Sequence, residues 1–368
     1  MLTRRVSRPV RVGRMTVGGA APISVQGMTK TDTRDVAATV RQLKAMARAG
    51  GEILRLAVPD REAALALREI RRRLPGLALV ADIHFDYRLA LLALEAGVDK
   101  LRLNPGNIGA PERVRRVVRE AKARGVPIRI GVNAGSLEKH LLASLGRTPE
   151  AMVESALSHI RILEDLDFRE IVVSLKSSDV MQTVEAYELL GSQVDYPLHL
   201  GITEAGTAFA GTVKSAVGLG ALLARGIGDT LRVSLAASPV REIRVGHEVL
   251  KSLGLRQGGA VVIACPSCGR CEIDLVRVAR AVEQRIADID YPVRVAVMGC
   301  AVNGPGEARE ADVGLAGGTG FGLLFIRGKP AGRVAAADMV EAVYRAVETF
   351  VEEERDGRGI REGDHAAR

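Results

Sequence analysis

Between residues 22 and 254 one rhythm repeats eight times: a short run of β-branched or apolar residues, then a longer amphipathic stretch. The runs fall at 22–28, 52–58, 78–83, 100–104, 128–133, 170–176, 197–203 and 229–235. The stretches between them carry helix punctuation. DREAALALREIRRRLPG opens on Asp60, a good N-cap, and DVAATVRQLKAMARAG closes on Gly50. APERVRRVVREAKARG and SPVREIRVGHEVLKSLG place Pro111 and Pro239 in their first turns. Eight β/α units in about 230 residues match the count and size of a (β/α)8 TIM barrel. A doubly wound open sheet rarely needs eight regular units, and no Gly-rich dinucleotide fingerprint follows any run.

The texture changes after 255–259, LRQGG, which reads as a linker. Strands are expected at 260–264, 293–298, 313–316 and 322–326, and helices at 272–289 and 334–352. The expected organisation is a barrel over 1–254, a smaller α/β domain over 260–352 and a charged, fraying tail over 353–368. The N-terminal RRVSRPVRVGRMTVGG alternates polar and apolar residues, as a hairpin closing the barrel bottom would.

Composition narrows the partners. Net charge is +8, which suits an anionic ligand, but only 3% of residues are aromatic and the basic residues are spread along the chain. Nucleic acid is therefore not expected. No apolar run follows the basic N-terminus, and no window approaches the ~20 apolar residues of a membrane span. A cytoplasmic protein without a membrane partner is expected. Its four cysteines do not make a disulfide scaffold.

All four cysteines fall between 265 and 300: Cys265, Cys268 and Cys271 in ACPSCGRC, and Cys300 in VMGCAVNGPGEA. Thiolate sets at C-x-x-C spacing select zinc or iron–sulfur centres. A triplet with a distant single favours a cluster over a structural zinc site or reduced buried thiols. By spacing, Cys271 is a ligand. Glu307, seven residues beyond Cys300 across Asn303-Gly304-Pro305-Gly306, is either a helix-start carboxylate or an exchangeable ligand on iron.

Chemistry in a (β/α)8 barrel sits at the carboxyl ends of the strands. Those ends carry Arg55, Arg102, Arg129, Arg232 and Lys176, with Asn104, Asn133 and Ser234 beside them. Charges are rarely buried unless paired, and guanidinium groups fit phosphate oxygens bidentately. Their convergence predicts an anionic, diphosphate-like ligand. Asp82, His84 and Glu204 are the acid/base candidates, each of which could equally orient an arginine.

The segments VQGMTKTDT, LRLAVPD, VADIHFDYRLA, LRLNPGNIG, ACPSCGR and VMGCAVNGPGEA resemble the bacterial 4-hydroxy-3-methylbut-2-enyl diphosphate synthase family over residues 25 to 308. The resemblance implies a TIM barrel followed by a ferredoxin-reductase-like domain similar to that of sulfite and nitrite reductases. It implies a [4Fe–4S] cluster on Cys265, Cys268, Cys300 and Glu307, with Cys271 a bystander on the first turn of the following helix. It also implies an isoprenoid-pathway reaction: the cyclic diphosphate of 2-C-methyl-erythritol is opened, loses water and gains two electrons, delivered singly from flavodoxin or ferredoxin. The barrel arginines and Lys176 would hold the diphosphate, in a head-to-tail homodimer; among the acids at the strand ends Glu204 is the expected proton donor, a choice the resemblance does not itself supply. Two other readings remain: a phosphate-binding barrel aldolase or synthase with a structural zinc module, and a non-enzymatic iron–sulfur electron carrier.

Overall fold

The structure, a computed structural model, describes residues 3–256 and 258–365, with side chains as far as residue 356. The chain forms two compact units, Met1–Arg256 and Gln257–Arg368. Of the expected linker, Leu255 packs on the barrel core and Arg256 pairs with Glu52 at 2.7 Å, while Gln257 lies outside the described residues.

The first unit opens on an antiparallel hairpin, β1 (Val10–Val12) and β2 (Met15–Val17). Eight parallel strands follow: β3 (Ser24–Met28), β4 (Ile53–Ala57), β5 (Ala78–Asp82), β6 (Lys100–Arg102), β7 (Ile128–Asn133), β8 (Ile171–Lys176), β9 (His199–Leu200) and β10 (Thr230–Leu231). They neighbour one another in the order β8-β7-β6-β5-β4-β3-β10-β9, and a parallel bridge between Val173 and Leu198 joins the two ends of the sheet. This is the expected TIM barrel. The hairpin closes its bottom, where Val12 and Val17 pack with Ile53, Ala78 and Val80.

The outer helices are α1 (Val36–Arg48), α2 (Arg61–Arg73), α3 (Tyr87–Glu95), α4 (Pro111–Arg124), α5 (Lys139–Leu145), α6 (Pro149–Glu164), α7 (Val180–Gly191), α8 (Ala208–Ala224) and α9 (Pro239–Ser252). Short polar side chains satisfy their first-turn N–H groups. Asp35, Asp60, Asp179 and Ser238 accept from Ala38, Ala63, Gln182 and Val240 respectively. Gly125 ends α4 at φ 63, a left-handed position that costs glycine nothing.

Two strands are shorter than the apolar runs 197–203 and 229–235 promised. Backbone bonds nevertheless continue past their ends, from Arg232 N–H to Leu200 O at 3.0 Å and from Thr203 N–H to Ser177 O at 3.1 Å, before Glu204 turns the chain at φ 50. The loops beyond then pair with each other, Ala236 N–H donating to Gly206 O at 3.0 Å.

The second unit is a five-stranded sheet in the order β11 (Ala260–Ala264), β12 (Val293–Met298), β13 (Val313–Gly318), β14 (Phe321–Ile326) and β15 (Lys329–Ala335). The first three strands are parallel and the last two join antiparallel. Its helices are α10 (Leu275–Arg285), α11 (Gly304–Arg309) and α12 (Met339–His365). One face of the sheet buries Val278, Val282, Val343 and Val347, and the other buries Ala308 and Phe325.

Three expectations for this unit need correction. The helix expected over 272–289 is confined to α10, because Asp274 caps it by accepting from Arg277 N–H. Cys271 therefore lies in the turn before that helix rather than on its first turn. The segment 329–335 is a strand, and the helix expected from 334 starts at Met339. Pro330 and Gly332 made β15 look like a loop, but it is an exposed edge strand, where both are tolerated. The stretch expected to fray is helical to His365, anchored near its start by Arg327, which bonds Glu353 at 2.6 Å and Glu354 at 3.0 Å. Among the described residues no helix is long and apolar enough to cross a membrane.

Candidate active site

Side chains on a strand alternate between the two faces of the sheet. In the barrel one parity is apolar and joins the helices: Leu54, Leu79, Leu101, Ile130, Val173 and Leu198 all belong to the core outside the strands. The opposite parity must face the lumen, and β4 and β6–β9 supply from it Arg55, Lys100, Arg102, Arg129, Lys176 and His199, with Arg232 just past the end of β10. Asp82, on β5, is the only carboxylate on an inward strand position. Six cationic groups thus face one acid inside a barrel that buries four of them, Lys100, Arg102, Arg129 and Lys176.

Asp82 is the hub. Its carboxylate accepts from Arg55 at 2.5 Å and Arg102 at 3.4 Å, and lies 3.4 Å from His84 Nε2. Burial alone would push its pKa up, but Arg55, His84 and Arg102 outweigh that and hold it well below the usual carboxylate range. Arg102 also donates to Gly131 O at 2.9 Å and touches the His84 ring at 3.1 Å. Asn104 clamps Gly131 from both sides, accepting from its N–H at 2.8 Å and donating to its O at 3.1 Å. Arg129 donates to Ser174 Oγ at 3.4 Å, and Lys176 Nζ lies 3.5 Å from His199 Nε2. Burial and the neighbouring cations drive the pKa values of Arg129, Lys176 and His199 well below their ordinary values, and bring Arg232 to about 10. An incoming anion would relieve this mutual repulsion.

The mouth opens into a cavity of about 400 Å³ lined by Glu204, Arg232 and Ser234 together with Lys30 and Glu242. Glu204 is exposed, as is His84. Asn133 ends β7 in register with Lys176. Of the residues named for the barrel from the sequence, Asp82, His84, Arg55 and Arg102 are in direct contact, Glu204, Arg232 and Ser234 line one cavity, and Asn133 is placed only by its register with Lys176.

Several others were missed. Glu242 is 1% exposed on the first turn of α9. It accepts from Leu235 N–H at 2.9 Å, pairs with Lys30 at 3.0 Å and lies 3.7 Å from Arg232. A lone glutamate in a helical first turn reads as dipole compensation, so nothing in the pattern flagged it. Lys100 was legible from its strand parity with Arg102. Gly131 and Gly201 matter for what they lack. A Cβ on Gly131 would sit 2.6 Å from Arg102 Nε, and one on Gly201 2.7 Å from Lys176 Nζ. Gly131→Ala is expected to weaken pyrophosphate binding by roughly tenfold, about 1.4 kcal/mol, with the melting temperature within a few degrees of wild type. Calorimetric titration alongside thermal melting measures both.

The second unit places its cysteines at the carboxyl ends of neighbouring parallel strands. Ala264 pairs with Val297, so Cys265 leaves β11 beside the end of β12, and Cys265 N–H reaches Val297 O at 3.4 Å. Cys300 follows two residues after β12. Ser267, at φ 59, turns the chain between Cys265 and Cys268. Backbone N–H groups of Asn303 and Val302 pull the Cys300 thiol's pKa down, with help from Gly304 and Arg270. The backbone N–H and then the side chain of Arg270 do the same for Cys268. Both environments favour the thiolate, the form of cysteine that serves as a metal ligand.

Cys271 differs. Its Sγ donates to Ile273 O at 3.2 Å and lies against Gly299, where a Cβ would come within 2.5 Å of it. Glu307 is exposed on α11, and its side chain makes no hydrogen bond or ion pair among the described residues. Nor, among those residues, do three His, Cys, Asp or Glu side chains converge as ligands of a single ion.

Two family models match the chain: the GcpE TIM-barrel domain over residues 7–247 and the GcpE protein C-terminal domain over residues 261–349. The chain belongs to the GcpE family. Among its relatives is the 4-hydroxy-3-methylbut-2-en-1-yl diphosphate synthase (flavodoxin) of Geobacter sulfurreducens, 61% identical over 94% of this chain and 98% of the relative. Proteins of the same name from Symbiobacterium thermophilum and Geobacillus kaustophilus are 59% and 58% identical, and in each the match covers 94% of the relative. The GcpE barrel is also similar in fold to a Plasmodium falciparum HPPK-DHPS structure. The TM-score is 0.51 at 12% identity, covering 67% of this chain and 48% of that one. In this GcpE chain the two matched domains coincide with the two compact units.

Proposed function

We propose that this chain is an iron–sulfur oxidoreductase that converts 2-C-methyl-D-erythritol 2,4-cyclodiphosphate to 4-hydroxy-3-methylbut-2-enyl diphosphate, taking its electrons from flavodoxin or ferredoxin. The observation that carries the reading is the surplus of inward cations over Asp82, which a multiply charged anion would balance. The names of relatives 58–61% identical over nearly the whole chain support it. Neither competing reading has that support, and an electron carrier has no use for the lumen cations.

In this reading Arg55, Arg102, Arg129, Lys176 and Arg232 hold the diphosphate, with Asn104, Asn133 and Ser234 completing its hydrogen bonds. Asp82 and His84 orient Arg55 and Arg102. Glu204, at the mouth, gives its proton to the oxygen that leaves as water. Cys265, Cys268, Cys300 and Glu307 are the ligands of a [4Fe–4S] cluster, and the donors suit it: two thiols in thiolate-favouring surroundings and a carboxylate with no competing partner. When bound, such a cluster supplies electrons one at a time and a Lewis-acidic iron. Cys271 stays outside the set because its thiol hydrogen is already spent on Ile273 O. A head-to-tail homodimer working in the cytoplasm completes the reading.

The test is anaerobic turnover of the cyclic diphosphate with reduced flavodoxin. Wild type is expected to be brown and to release the linear diphosphate. Cys271→Thr is expected to keep its iron and sulfide content and to turn over within about twofold of wild type, because threonine preserves the bond to Ile273 O. A colourless, zinc-loaded or inactive wild-type protein would overturn the proposal.

A further inference from the structure

Beneath the expected diphosphate site the barrel holds a charge with nothing to balance it. Lys100 stands on the inward face of β6, two residues before Arg102 and so about 6.6 Å lower in the lumen. It is 0% exposed, and its Nζ has no hydrogen-bond partner. The apolar floor seals it from below, since Val80 is its register partner on β5 and packs with Ile53, Val12 and Val17.

The groups that face it are of the wrong sign or already committed. Arg129 from β7 and Arg55 from β4 repel it, and His199 on β9 shares the tier, its own Nδ1 also unpartnered. Lys176 on β8, Arg232 just past β10 and Arg102 on its own strand add positive charge. The one lumen carboxylate, Asp82 on β5, is taken by Arg55, Arg102 and His84.

We propose that Lys100 lies uncharged in the ligand-free barrel and takes up a proton when a diphosphate docks in the tier above it, so that anion binding is coupled to proton uptake. The inference rests on the diphosphate reading of the barrel. Its physical basis is that an unpaired ammonium in a sealed lumen is costly, whereas the same ammonium beneath a dianion is the complementary charge. Burial, then Arg129 and Arg55, depress the Lys100 pKa in the free protein, and the ligand raises it. The sign follows from that. Affinity is highest below the free-state pKa, falls tenfold per pH unit between the free and bound values, and is flat above them. A coupled proton also leaves the bound diphosphate better neutralised than the arginines alone would.

The experiment is calorimetric titration of oxidised protein, without reductant, in pairs of buffers that differ in ionisation enthalpy. The probes are the cyclic diphosphate and sulfate, neither of which titrates near neutrality. Wild type is expected to take up close to one proton more per bound ligand than Lys100→Met or Lys100→Gln. Both variants are expected to bind at least tenfold more weakly at the acid end of the range, with a flatter pH dependence. Lys100→Met, which removes a buried unpartnered amine, is expected to melt at or above the wild-type temperature. Equal proton uptake by wild type and both variants overturns the inference and leaves the diphosphate reading standing. If only sulfate binds, with uptake that depends on Lys100, the inference holds for anions and the diphosphate reading falls. Failure of both probes to bind overturns both.

Discussion

Replacing Asp82 with alanine is expected to cost about 3–5 kcal/mol of stability, because it strips the shared partner from two buried guanidinium groups. Arg55 and Arg102 would then face Arg129, Lys176 and Arg232 with no acid on the inward strand positions. The same substitution frees both arginines to swing, and a misplacement of about 1 Å in a binding group can lower turnover by roughly 100-fold. Asp82→Asn is the informative control, because it keeps the shape and removes the charge. The stability difference between wild type and Asp82→Asn should vary with pH in one direction. The folded pKa of Asp82 is depressed, so its contribution is complete above the unfolded value of about 4 and fades as pH falls toward the lower folded value. Urea unfolding between neutral and acid pH measures this. Equal stability of wild type and Asp82→Asn at pH 7 would remove Asp82 from the role of hub.

The second large effect lies in the other unit. Cys300→Ser is expected to abolish the visible absorbance, reduce bound iron to background and eliminate turnover. Cys300 sits where N–H groups of Asn303, Val302 and Gly304 converge on one sulfur, an arrangement that favours a thiolate. A serine hydroxyl accepts the same N–H groups without supplying a soft anionic ligand. Glu307→Ala should do less at rest and more in turnover. Iron content falls only in part, and kcat drops by about 100-fold if that carboxylate is the exchangeable ligand. Iron and sulfide analysis beside steady-state kinetics separates the two variants. Unchanged kinetics in Glu307→Ala would exclude Glu307 from the ligand set.

Much of the site was legible because inward strand positions break a strong rule. Arg55, Arg102, Arg129, Lys176 and Arg232 each interrupt an apolar run at a position where the outward parity stays apolar, and a charge is kept there only for a partner. Glu242 was not legible, since its work is done 3.7 Å from Arg232, just past β10, which it approaches only through packing of α9. Gly131 and Gly201 carry no side chain to signal a role, which shows only once the arginine and lysine that occupy their missing Cβ volume are in view. β15 was lost because Pro330 and Gly332 signal a loop to any local reading, whereas pairing with β14 is a long-range fact.

The sequence by itself determined the class of the fold and the residue types gathered at both candidate sites. Period and punctuation are local properties, and eight repeats of one β/α unit leave few architectures open. The spacing of the thiols and the charges on the strands are equally local. Only the tertiary structure decided which groups balance one another. It made Asp82 the hub of two arginines and a histidine, left Lys100 sealed without a partner, and turned the thiol of Cys271 onto the Ile273 carbonyl. Those outcomes depend on which side chains meet across strands, and that is set by barrel closure and register rather than by any segment alone.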